Sequence, residues 1–186
     1  MNLDTPIKEI PRIGPIFQKK LQRMGIKTVE DLFFHFPSRY ENFSNILPIS
    51  KVKVNETCCL QGKILEIGTS RTWKRKMFLT EAIVEDKTGA IKVIWFNQPY
   101  LTKILKEGDW VCLAGKVSSG KKGIYLSSPA YEKFQAFHPA PERSSVRGKS
   151  SKFQDLTHTG RIVPVYPETE GLSSRWLRYI LKPLLA

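Results

Sequence analysis

Two clusters of side chains in this chain have the residue types needed to grip a polyanion, and both mix aromatic rings with polar or cationic neighbours. The first is Arg71-Thr72-Trp73-Lys74-Arg75-Lys76, four cations around one indole. Arg71, Lys74, Arg75 and Lys76 can neutralise backbone phosphates, and the Trp73 ring can stack on a base at about 1–3 kcal/mol. A solvated loop with its tryptophan tucked inward is the plainer alternative. The second cluster is Trp95-Phe96-Asn97-Gln98-Pro99-Tyr100. In a strand Trp95 and Phe96 point to opposite faces, so one of them must leave the core. Phe96 and Tyr100, four residues apart, can lie on one side of the following turn and hold a pair of unstacked bases. Equally, both rings can close the floor of the core. Lys121 and Lys122 add two more cations for phosphate.

Catalytic patterns fail on inspection. Gly115-Lys116-Val117-Ser118-Ser119-Gly120-Lys121-Lys122 imitates a phosphate-binding loop until Lys122 stands where a Ser or Thr hydroxyl must hold Mg²⁺. It also lies between two strands, whereas such a loop opens a helix. In Gly148-Lys149-Ser150 the required first glycine is Arg143. His35, His138 and His158 are too scattered for a metal cluster, and no G-x-S-x-G or close carboxylate pair occurs. The expectation is a chain with no catalytic residues, no metal and no cofactor of its own. Cys58 and Cys59 are adjacent and Cys112 stands alone, without a C-x-x-C pair. Neighbouring strand residues face opposite ways, so these read as reduced packing residues of a cytoplasmic protein.

The charge agrees with a polyanionic partner. Thirty Lys+Arg face 17 Asp+Glu among 186 residues, a net of +13. Residues 44–135 carry 15 basic and 8 acidic side chains, the largest share of the excess, so the charge is not confined to a detachable arm. A hydrophobic content of 41% excludes wholesale disorder. No apolar run approaches the roughly 20 residues that span a bilayer, and the opening Met1-Asn2-Leu3-Asp4 is not a secretory signal.

These clusters need elements to hold them. Residues 1–43 read as a helical hairpin: Pro15 suits a first helical position, Ile16, Phe17, Leu21 and Met24 follow at helical spacing, and Gly25 stops the helix. Thr28 caps a second helix, with Asp31 three residues on as its capping-box partner. From about residue 45 the period changes to two. Strands are expected at 57–67, 77–85 and 90–96, with Asp86-Lys87-Thr88-Gly89 as a tight turn. A short helix is expected at 97–106 with Asn97 as N-cap, then a hairpin of strands 110–117 and 123–128. Five strands with a helix between the third and fourth match the OB-fold, a small Greek-key barrel. Residues 136–186 read as a Pro- and Ser-rich connector, then Arg161–Pro167, then a helix capped by Ser173 or Ser174. The apolar face of that helix is expected to be left presented, as in a chain that continues.

The run Ile13-Gly14-Pro15, Leu21, Gly25–Leu32 and Phe36–Tyr40 resembles the opening of the bacterial ATP-dependent DNA helicase RecG family. So do Asp86–Gly89 with Val93–Tyr100, Arg161–Pro167, and Glu170–Ser173, in family order over nearly the whole chain. The resemblance implies a mainly β domain, a wedge at 44–135, that binds branched DNA and splits duplex arms at stalled forks and Holliday junctions. It implies that the rings at Phe96 and Tyr100 stack on bases at the branch point. It further implies missing motor domains of the same polypeptide that use ATP and Mg²⁺, a cytoplasmic bacterial setting, and a single-stranded-DNA-binding protein as a partner. One departure is Arg12, which occupies the first glycine of a helix-hairpin-helix turn and argues for a packing role there. An RNA- or tRNA-binding OB module and a protein-interaction adaptor are the alternative functions, since nothing in the basic and aromatic residues distinguishes 2′-OH recognition from its absence.

Overall fold

The computed structural model describes residues 2–72, 76–120, 123–134, 157–169 and 171–185. The chain divides into two compact units, Met1–Asn42 with Ile162–Ala186, and Phe43–Arg161. The first and last segments of the sequence therefore fold together, because strand pairing joins them.

In that composite unit, helices α1 (Pro15–Arg23) and α2 (Val29–Phe34) form the expected hairpin. Gly25, at φ 83°, supplies the left-handed turn that ends α1. The capping box is complete: the Asp31 N–H donates to Thr28 Oγ1 at 3.2 Å, and the Thr28 N–H donates to Asp31 Oδ2 at 3.0 Å. Hydrogen bonds from the Lys27 and Thr28 backbone hold the Asp31 carboxyl below its ordinary pKa. Arg12 adopts a left-handed backbone (φ 74°), and its guanidinium lies 5.0 Å from the centre of the Tyr179 ring. Strand β1 (Arg39–Asn42) pairs antiparallel with the chain's last strand, Ile162–Val165. The last helix, Ser174–Leu184, is capped by Ser173, whose hydroxyl accepts from the Trp176 N–H. Its apolar face is not left presented, contrary to expectation. Leu177, Ile180 and Leu181 join Leu21, Val29 and Leu32 in one core, and Trp176 stacks on Phe17 at 4.5 Å.

The second unit is a closed five-stranded barrel. Strands β2 (Thr57–Arg71), β3 (Phe78–Asp86), β4 (Gly89–Phe96), β5 (Trp110–Gly120) and β6 (Gly123–Phe134) run in the spatial order β2-β3-β4-β6-β5. The parallel pairing of β4 with β6 closes the OB-fold. Inward residues alternate as period two requires: Leu60, Val84, Val93, Trp95, Leu113, Val117 and Leu126 fill the core. The Trp95 indole N–H donates to the Pro129 carbonyl at 2.9 Å, so its one polar atom is satisfied inside.

The extent of several of these elements, and the role of Asn97, differ from expectation. The helix after β4 is a single turn, α3 (Leu101–Ile104), not residues 97–106. Asn97 is not its cap: it sits at φ 55°, a conformation that asparagine tolerates, and Pro99 disfavours helical backbone at Gln98. Strand β2 continues four residues past Ile67. Strand β6 passes through Ser128-Pro129, a pair that reads as a strand end. Pro129 fits because the register shifts at Ala114/Lys116 and Gly115 faces it; a Cβ there would lie 2.9 Å from Pro129 Cα. We number the remaining elements β7 (Ile162–Val165) and α4 (Ser174–Leu184).

The three cysteines are free and buried in the barrel wall. Cys58 enters the core, where burial pushes its thiol up to about 11. Cys59 faces the other way, its Sγ 3.4 Å from that of Cys112 on β5. Beside this pair, the Glu132 carboxylate accepts the backbone N–H groups of Thr157, His158 and Thr159 and the Thr159 hydroxyl at 2.7–2.9 Å. That carboxylate pins the returning chain to β6. Among the described residues no helix is long and apolar enough to cross a membrane.

Candidate nucleic-acid interface

The candidate residues that the structure describes gather where β2 ends, β3 begins and β4 ends. The register is continuous across the three strands: Arg71 faces Phe78, Thr69 faces Thr80 and then Trp95, and Leu79 faces Phe96. The neck of the β2–β3 connection is closed by the Thr72 N–H on the Met77 carbonyl (2.9 Å) and by the Met77 N–H on the Thr72 hydroxyl (3.1 Å). Alternation sends Trp95 inward, 1% exposed, and Phe96 outward, where it is half-buried. The sequence left open which of the two rings leaves the core. It is Phe96.

Tyr100 stands at the mouth of α3, 50% exposed, with its hydroxyl 3.1 Å from Gln98 Oε1. The turn between the two rings is tied to the barrel at both ends. The Asn97 N–H donates to the Phe78 carbonyl at 2.8 Å, and the fully buried Thr80 hydroxyl donates to the Gln98 carbonyl at 2.9 Å. Thr69 Oγ1 lies 3.1 Å from Thr80 Oγ1 and extends this network to β2. Leu101 and Leu105 then plug α3 into the core. Phe96 and Tyr100 are thus carried on backbone that has little freedom to move.

Arg71 is exposed at the end of β2, its Nε donating to the Lys76 carbonyl at 3.3 Å and its guanidinium 5.5 Å from the centre of the Phe78 ring. Lys76 is exposed at φ 49°. Trp73, Lys74, Arg75, Lys121 and Lys122 lie outside the described residues. Phe78 belongs with this group, and sequence reasoning missed it. Its place in the alternation with Thr80, Ala82 and Val84 reads as core. The barrel has ended at its level, however, and the ring is 40% exposed.

The adjoining outer face of β2, β3 and β4 is different. It carries a hollow of about 340 Å³ lined in part by Glu66, Ser70, Glu81, Ile83 and Lys92. Glu81 and Lys92 form an ion pair at 2.6 Å, which leaves a carboxylate excess. A phosphate track across this hollow would meet repulsion. The barrel end, with Arg71 and Lys76, would not offer it.

An OB barrel whose end gathers exposed aromatic and cationic side chains on a braced turn has the make-up of a nucleic-acid-binding module. A family model described as the RecG wedge domain matches residues 6–141. The chain belongs to the RecG wedge-domain family. It is 30% identical over 184 residues to the ATP-dependent DNA helicase RecG of Thermotoga maritima, covering 98% of this chain and 21% of that protein. With the RecG helicase of Escherichia coli K12 it shares 27% identity over 175 residues, covering 94% of this chain and 22% of the relative. A solved structure of RecG bound to a three-way DNA junction superposes with a TM-score of 0.73 at 27% identity, covering 98% of this chain and 22% of that one. The chain spans about a fifth of the length of the curated relatives it matches.

Proposed function

We propose that this chain is the structure-selective DNA-binding wedge of a RecG-type helicase, without catalysis of its own. It binds branched DNA (stalled forks, Holliday junctions) and separates the duplex arms in fork reversal, recombination and repair. ATP and Mg²⁺ are used by motor domains of the same polypeptide, in the bacterial cytoplasm, and a single-stranded-DNA-binding protein is a partner through its shared substrate.

The observation that carries this reading is the braced turn at the barrel end. The turn that carries Phe96 and Tyr100 is held by the Phe78 and Thr80 hydrogen bonds, which supports a role for the two rings in stacking on bases at a branch. Breaking one base-pair step forfeits about 1.4 kcal/mol of stacking, and one base on one ring returns about 1–3 kcal/mol. Two rings can therefore hold a branch open, one arm each. Sustained unwinding needs energy from the motor. Arg71 and Lys76 supply phosphate-neutralising charge at this barrel end, and Lys74, Arg75, Lys121 and Lys122 are further cations of the sequence assigned to phosphate, an effect that weakens with salt.

The test is fluorescence anisotropy with forked DNA and plain duplex of equal length. The double variant Phe96→Ala/Tyr100→Ala should lose about tenfold or more on the fork, and about twofold or less on duplex, where phosphate contacts dominate. Equal losses on both substrates defeat the stacking role. A structured RNA competing as well as the fork would redirect the assignment to an RNA-binding module.

A further inference from the structure

Arg71 and Phe78 face each other across β2 and β3, and the pair is more constrained than a surface phosphate contact needs to be. The guanidinium lies 5.5 Å from the Phe78 ring centre, while its Nε donates to the Lys76 carbonyl at 3.3 Å. A cation–π contact and a hydrogen bond together fix the plane of an otherwise flexible side chain. Phe78 shares the inward alternation of Thr80 and Ala82, but beyond the end of the barrel its ring has no core to enter and stays 40% exposed. The Phe78 carbonyl also accepts the Asn97 N–H at 2.8 Å. One backbone frame therefore holds Phe78 and the turn that carries Phe96 and Tyr100.

We propose that Arg71, backed by Phe78, is a third stacking surface at this barrel end, its guanidinium plane taking an unpaired base next to the branch point. The inference rests on the wedge reading and changes the role of Arg71 from phosphate neutraliser to flat platform. A guanidinium is planar and weakly hydrated and stacks on nucleobases, whereas an ammonium of equal charge does neither. The ring behind it keeps the plane oriented. The ligand class is a single-stranded nucleotide beside a duplex end, recognised by its base face and not by sequence.

The experiment uses the whole chain and a fork carrying 2-aminopurine at the unpaired position next to the branch, read by anisotropy and by base fluorescence. Arg71→Lys keeps the charge and loses the plane; Phe78→Leu removes the backing ring. Each should weaken fork binding about five- to tenfold and abolish the fluorescence change, with the salt dependence of affinity unaltered. The double variant should be little worse than either single one, because the two side chains act as a unit. Thermal melting verifies that each variant is folded, and Arg71→Lys, an exposed change, carries the test if Phe78→Leu is unstable. Wild-type affinity in Arg71→Lys, with Arg71→Gln losing affinity and about 0.9 of the salt slope, overturns the proposal in favour of a phosphate contact. Failure of the wedge reading looks different: the wild-type chain would show no preference for forks, or Phe96→Ala/Tyr100→Ala would leave that preference intact.

Discussion

The two ends of β4 are both tight turns, and they dispose of their polar groups in opposite ways. At the start, Asp86-Lys87-Thr88-Gly89 is held by its own side chain. Asp86 Oδ1 accepts the Thr88 N–H and hydroxyl at 2.6 Å and the Gly89 N–H at 3.0 Å, and Oδ2 accepts the Ile49 N–H at 2.8 Å. At the other end, the Asn97–Tyr100 turn is held from outside, by the Phe78 carbonyl on β3 and the Thr80 hydroxyl beneath it. A turn that spends its side chain on its own backbone is a structural hinge pin. A turn braced by its neighbours can hold aromatic rings at the surface, where isolated rings would otherwise be drawn into the core.

The comparison breaks most visibly at Asp86. Asp86→Ala strips four donors of their charged acceptor. One hydrogen bond to a charged group is worth about 1.5–3 kcal/mol net, and four that share one solvent-accessible carboxylate do not add, because water can reach the freed donors. A net loss of about 2–3 kcal/mol in the stability of the barrel is expected, read as a lower urea midpoint. Fork affinity of the folded fraction should stay at the wild-type value. A parallel loss of affinity would mean that the two ends of β4 are not separate in function.

Thr80→Val is the complementary experiment and the next largest. The shape is kept while the buried hydroxyl that braces the Gln98 carbonyl is removed. The Gln98 carbonyl keeps the Leu101 N–H at 3.2 Å, so the change removes one hydrogen bond, worth about 0.5–1.5 kcal/mol. Here stability and binding should fall together: Phe96 and Tyr100 are unchanged, yet fork affinity drops about threefold because the turn is no longer pre-set. Stability loss with full fork affinity would show that the rings do not depend on the brace.

Much of this arrangement was legible in the sequence, for physical reasons that differ from place to place. Period two exposes the barrel strands, and Thr28 with Asp31 announces α2, because both signals are local. The Trp95/Phe96 alternation is equally local, and it required one ring to face outward. What was hidden depends on partners distant in the chain. β6 runs through Pro129 only because Gly115 faces it. Phe78 is exposed only because the barrel ends at its level. Ile162–Val165 folds with residues 1–42 only through its pairing with Arg39–Asn42. Asn97 was misread because an N-cap and a left-handed turn both favour asparagine. Position alone does not separate them, and the Phe78 carbonyl decides.

The smallest effect is the pH dependence of the same structural turn, and it isolates charge from shape. Burial alone would push the Asp86 carboxyl up. The Thr88 hydroxyl and the Ile49, Thr88 and Gly89 N–H groups outweigh it, and the folded-state pKa lies below the ordinary carboxylate value. A depressed folded pKa means that the carboxylate stabilises the barrel fully above the unfolded value of about 3.9, and that this stabilisation is lost as pH falls through the lower folded one. Asp86→Asn keeps the shape and does not titrate. Asp31 and Asp109 also have lowered values and titrate in the same acidic range, so the wild-type curve alone mixes several groups. Subtracting the Asp86→Asn curve from it cancels them. The stability gap between the two proteins should be constant from about pH 7 to pH 5 and should close below about pH 4. A gap that persists at the acid end would mean that the geometry of the acceptor, and not its charge, holds this turn.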